Sequence, residues 1–138
     1  MNADDRWFQG HLMELDPVEC WELLRSREVG RVAYVDERGP LAVPVTFVCG
    51  EGSVLFRVAP YSQLARYLPG AQAALEVDDI DYFTRTGWSV VVRGRIETLE
   101  SDKLPPPQDR PTPWPEGQRS LHLRLTADAV TGRRLLEA

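Results

Sequence analysis

Hydrophobic and polar positions alternate through much of the chain. The stretch VGRVAYVDERGPLAVPVTFVCGEGSVLFRVA, residues 29 to 59, divides into three such runs, broken by turn residues at Asp36 to Pro40 and at Gly50 to Ser53. In the second run Leu41, Val43, Val45 and Phe47 share a face, and in the third Val54, Phe56 and Val58 do. Two further strands are predicted in AQAALEVDD (71 to 79) and GWSVVVRGRIETL (87 to 99), with Val90, Val92 and Ile96 directed inward and Gly94 marking a bulge or a sharp bend. A sixth follows in RSLHLRLTA (119 to 127), where Leu121, Leu123 and Leu125 point inward while His122 and Arg124 project from the other face.

Helical signals are few and short. Asp16, Pro17 and Glu19 supply a capping acid, a proline at the first helical position and a glutamate at the third, predicting a helix over 17 to 27 with Val18, Trp21, Leu23 and Leu24 as its apolar stripe. A second short helix is predicted over 61 to 68, with Ser62 at its start and Pro69-Gly70 ending it. Between the last two strands, Leu104 to Gly117 carries six of the eleven prolines and must be a long loop. Six mostly antiparallel strands with short helices predict a mainly β fold, a small closed or nearly closed barrel that leaves no long edge exposed.

Length and charge narrow the functional classes. The 138 residues make one domain, 1–138, with a single core. A net charge of -5, with the basic residues scattered and almost all arginine, argues against a nucleic-acid or anionic-membrane partner. The chain begins MNADDRWFQG and shows no apolar run long enough for a leader or a membrane span, so a cytoplasmic location and reduced thiols at Cys20 and Cys49 are expected. The DDID stretch at 78 to 81 lacks the further ligands of a calcium loop and reads as a solvated turn. No zinc spacing or Ser/His/Asp arrangement stands out, so neither a metal site nor a side-chain nucleophile is assigned.

One stretch, FRVAPYSQL (56 to 64), raises chemistry. An arginine inside an apolar strand, followed by a hydroxyl where the next helix begins, can converge on an anion such as a phosphomonoester. The plainer alternative makes Ser62 a helix cap and pairs Arg57 with a surface acid such as Glu76.

The order of VGRVAYVDERGPLAVPVTFV, VLFRVAPYSQLARYL, AALEVDDID and GWSVVVRGRIETL, with the TGRR segment near the end, resembles the pyridoxamine 5'-phosphate oxidase-like proteins, the FMN-binding split barrels, over about residues 14–135. The resemblance implies a six-stranded antiparallel split barrel and a homodimer holding two FMN molecules at its interface. It makes Arg57 and Ser62 phosphate ligands, with Gln63 standing where the family carries a cation. It also lays Val43, Pro44, Val45 and Thr46 along the flavin ring. At the last strand the family's substrate-gripping Arg-Leu-His-Asp-Arg run is matched here by Ser120-Leu121-His122-Leu123-Arg124, keeping His122 and Arg124 but losing the first arginine and the aspartate. Oxidation of vitamin B6 phosphates is therefore disfavoured, because a lost charge partner in a desolvated site costs about 2–5 kcal/mol. The expected function is a flavin-dependent oxidoreductase acting on an unidentified small molecule, with Trp88 or Trp114 flanking the substrate unless they serve as packing. A deazaflavin or haem in place of FMN, or a ligand-free relative, are the alternatives. The proline-rich loop can act as a lid or as a plug.

Overall fold

The computed structural model describes residues 12–114 and 117–136. It contains seven strands: β1 (Leu12–Leu15), β2 (Val29–Asp36), β3 (Gly39–Gly50), β4 (Ser53–Val58), β5 (Gln72–Asp81), β6 (Thr86–Thr98) and β7 (Leu121–Leu135). Helix α1 (Pro17–Arg25) lies between β1 and β2, and α2 (Gln63–Tyr67) follows β4. All pairings are antiparallel, in the order β1-β7-β4-β3-β2-β5-β6, and a β6–β7 ladder closes the ring. The predicted barrel is present, with one strand more than expected.

The extra strand and the length of β7 explain how the barrel splits. The first half of β7 pairs with β4, from Leu121↔Val58 to Thr126↔Ser53, and its last residues pair with β1, from Gly132↔Leu15 to Leu135↔Leu12. One 15-residue strand thus serves two neighbours on the same edge, while β6 runs along its other edge. That ladder slips between Arg93 and Gly94, whose partners are Ala129 and Ala127, so Asp128 is the extra residue of a bulge. A Cβ on Gly94 would stand 1.8 Å from the Thr126 carbonyl oxygen, so the close approach of the two backbones requires glycine here.

Alternation delivers the core as read. Val32, Val54, Phe56, Leu75, Val90, Val92, Ile96, Leu123 and Leu125 are all buried inside the barrel. α1 plugs one side. Asp16 caps it by accepting a hydrogen bond from the Glu19 amide at 2.9 Å, as its sequence predicts. Cys20 and Leu24 form its buried face, whereas Val18, placed in the apolar stripe from sequence, is 67% exposed because its first-turn position points away from the sheet. The DDID segment is also corrected: Asp78 to Asp81 extend β5, and the turn comes after them, with Asp81 Oδ1 accepting from the Phe83 and Thr84 amides. Among the described residues no helix is long and apolar enough to cross a membrane.

The bulge gives the first test. Gly94→Ala is expected to cost about 3 kcal/mol, since the clash is with backbone and cannot be relieved by a rotamer change. Urea unfolding of the variant measures this, and a loss below about 1 kcal/mol would show that the strands can separate there at little expense.

Candidate functional site

After Thr98 the chain leaves the barrel and crosses its outer wall before returning as β7. This strap, described over residues 99–114 and 117–120, contains two short 3-10 turns, Ser101–Lys103 and Pro107–Asp109. It creates a small second core. Leu99 and Pro111 of the strap and Leu55 and His122 of the strands are buried, although Leu55, Leu99 and His122 take no part in the main core of the barrel.

Where the strap meets β3, β4 and α2, a cavity of about 290 Å³ opens. Its apolar lining includes Val29, Val45, Val58 and Leu64, and Arg57, Ser62 and Arg119 add its polar groups. The strap contributes Pro113 and Trp114, the latter 70% exposed. Alternation along β4 sends Phe56 and Val58 inward, so Arg57 between them is directed to the outer wall. There its Nε donates to the Arg119 carbonyl at 2.8 Å and its Nη1 to the Pro111 carbonyl at 3.3 Å. The acid expected as its alternative partner is elsewhere: Glu76 faces Arg31 across β2 and β5, at 3.5 Å.

Ser62 is the N-cap of α2. Its hydroxyl donates to the Ala59 carbonyl at 2.7 Å and accepts from the Ala65 amide at 3.2 Å, so its single proton is already committed. The helix it caps has only five residues, too few to supply the helix-dipole attraction that the sequence suggested. The cationic character of the cavity therefore comes from guanidinium groups.

Of the residues singled out in the sequence, Pro44, Val45, Thr46, Arg57, Ser62 and Trp114 line this one cavity. Val43 packs against the main core, and Gln63 is exposed outside the lining. Trp88 is a core residue at 7% exposure, with the Arg27 guanidinium 5.5 Å from its ring centroid; it borders a different depression, beside Asp79 and Arg134. Arg124 pairs with Glu97, Nε to Oε1 2.9 Å, and borders a separate groove with Cys49 and Lys103. The cavity thus gathers the phosphate and ring-wall positions but leaves Trp88 and Arg124 to packing and to a surface ion pair. Arg119 was missed by sequence reasoning. It stands one position before Ser120, where the family's first arginine is lost, and no periodicity marks the irregular segment that carries it.

His122 does not face solvent. It sits opposite Arg57 in the β4–β7 register, 7% exposed, and its Nε2 is buried with no hydrogen-bond partner among the described residues. Burial, and then the Arg57 and Arg110 charges, hold the imidazole below its ordinary value of 6.5, outweighing a backbone hydrogen bond near Ser120.

The chain matches the pyridoxamine 5'-phosphate oxidase family model over residues 16–134 and belongs to that family. An uncharacterised protein of Mycobacterium tuberculosis is 30% identical over 131 residues, 91% of this chain and 86% of that protein. The FAD-binding protein of Mycobacterium smegmatis is 28% identical, with a TM-score of 0.71 over 90% of this chain and 98% of that one. A FAD-binding protein of Mesorhizobium loti, 22% identical, shares the fold, with a TM-score of 0.69 over 89% and 97% of the two chains.

The position of His122 sets a pH dependence. A histidine whose folded value is depressed contributes fully above its unfolded value of 6.5 and destabilises the fold as the pH falls through the lower folded value. Chemical unfolding of wild type and His122→Phe between about pH 7.5 and 5 is expected to show wild type losing stability more steeply on the acid side. Parallel curves would show that the strap exerts no such pressure on the imidazole.

Proposed function

We propose that this chain is a flavin nucleotide-binding protein whose phosphate anchor is Arg57. The observation that carries the reading is the union of an apolar wall, the backbone of residues 44 to 46 and a guanidinium in one cavity. A flat ring with an anionic tail is the ligand such a cavity suits: the ring lies on valine and proline surface, and the tail reaches the cation. Pro44 has no amide proton, so polar contacts to the ring there come from its carbonyl or from Thr46. The volume of about 290 Å³ suits part of a flavin nucleotide, and the exposed face of Trp114 extends the site outward.

FMN is the proposed cofactor, because its one phosphomonoester is an anion that the Arg57 guanidinium suits. A FAD diphosphate is the second reading, supported by the name of the Mycobacterium smegmatis relative. Bound flavin would supply reversible two-electron chemistry, and the chain would act as an oxidoreductase on a small molecule stacked beside Trp114. Its own residues bind and orient; none is placed to act as a nucleophile.

A homodimer completes the proposal. The outward positions Ala33, Val35, Ala42 and Ala74 form a wall of small apolar residues on neighbouring strands, with Val35 63% exposed. Val29 and Pro44 line the cavity from the same strands. A second copy seated on that wall would cover the open side of the site.

Visible absorption of protein reconstituted with FMN or FAD tests the reading, with bound oxidised flavin giving its two-band spectrum. Arg57→Ala is expected to weaken FMN by about 1.5–3 kcal/mol, the worth of a charge-assisted contact, and riboflavin much less. Unchanged FMN affinity in the variant would remove Arg57 from the site, and a Soret or single near-violet band would replace flavin by haem or deazaflavin.

A further inference from the structure

A guanidinium grips phosphate through one of two planar edges, the side formed by Nε and Nη2 or the end formed by Nη1 and Nη2. In Arg57 the one N–H of Nε, on the side edge, and one N–H of Nη1 are already committed. Nε is held by the Arg119 carbonyl and Nη1 by the Pro111 carbonyl. The side edge is therefore taken, and a phosphate gripping it must displace the Arg119 carbonyl, while Nη1 keeps a second N–H beside its bond to Pro111. Both acceptors are neutral, whereas a phosphate monoester carries close to two negative charges, so the exchange favours the anion.

We propose that Arg57 is the latch of the strap: it ties residues 111 and 119 to the barrel wall when no anion is present, and an anionic ligand that takes its guanidinium loosens the strap over the site. The inference rests on the proposed flavin reading for the natural ligand, but the competition itself needs only a phosphate group. Three further observations support it. The strap supplies Pro113, Trp114 and Arg119 to the cavity, so its position and the ligand's are coupled. At its start the Leu99 amide donates to the His122 carbonyl of β7; beyond that the strap's backbone bonds among the described residues are local, from the Lys103, Leu104, Asp109 and Arg110 amides to carbonyls three residues earlier, and these do not tie it to the barrel. Beneath it lies His122 Nε2 without a partner, a polar atom that gains water or a ligand contact when the strap lifts. Phosphate capture thus reshapes the wall around Trp114, making the accessible ring face a consequence of anchoring.

Hydrogen exchange measured by mass spectrometry at Asp109 and Arg110, together with tryptic cleavage after Arg119, reads the strap directly. In ligand-free protein, Arg57→Met is expected to speed both by about tenfold or more, the worth of hydrogen bonds from a charged donor. Inorganic phosphate, with ionic strength held constant by sodium chloride, should speed them in wild type and leave Arg57→Met unaffected. FMN should act like phosphate at far lower concentration, and riboflavin should not. Equal strap protection in wild type and Arg57→Met overturns the proposal, as does phosphate accelerating both chains alike. FMN that binds with the strap still protected overturns the latch while leaving the flavin reading intact. If phosphate loosens the strap through Arg57 and FMN does not bind, the latch stands and the flavin reading falls. The phosphate titration uses unaltered protein, so it decides the matter even if Arg57→Met folds poorly.

Discussion

One arginine in the wall of an apolar barrel organises the outer half of this molecule. β4 is held on both sides, by β3 and by the first half of β7, and its inward residues are fully committed to the core. Arg57 is the outward residue at the point where the strap crosses, and its acceptors among the described residues are backbone carbonyls from two separated parts of that strap. A proline-rich segment offers few amide protons and many free carbonyls, which suits a donor-only side chain. The same chemistry makes the arrangement exchangeable, because an anion is a stronger acceptor for a guanidinium than an amide oxygen.

The strap therefore has two roles that compete. It buries Leu55, Leu99 and His122 as a satellite cluster, stabilising the outside of the barrel. It also forms one wall of the cavity. Local segments held by few tertiary bonds open more readily than a barrel core. A site built partly from such a segment can admit a ring larger than the space it encloses when closed, and this is consistent with a cavity near the lower end for small-molecule pockets.

Most of the barrel was legible because two-residue alternation and glycine or proline punctuation are local signals. The runs around Leu41 to Phe47 and Val54 to Val58, the cap at Asp16 and the bulge at Gly94 all carried them. β1 did not, since four mostly exposed residues with no alternation give no period to read. The second half of β7 was likewise hidden: the bulge at Asp128 breaks its phase, and its partners are set by long-range pairing. In the site, Arg57, Ser62 and the 44 to 46 stretch were visible as residue types in an order. The engagement of Arg57 by carbonyls was not, because a backbone acceptor has no side-chain signature. His122 was read with its correct direction, but its burial was not legible, since nothing periodic announces that a distant loop will settle over that face. Trp88, an aromatic at a strand end, could be core or platform from sequence alone, and only the packing assigned it to the core.

What the latch requires is that the Arg57 guanidinium exchange a strap carbonyl for a ligand phosphate. A crystal structure of the protein soaked with FMN addresses it most directly. Phosphate oxygens are expected on a two-donor edge of Arg57, with the carbonyl of Pro111 or of Arg119 withdrawn from hydrogen-bonding distance. A phosphate bound elsewhere, with both carbonyls still held by Arg57, would contradict it.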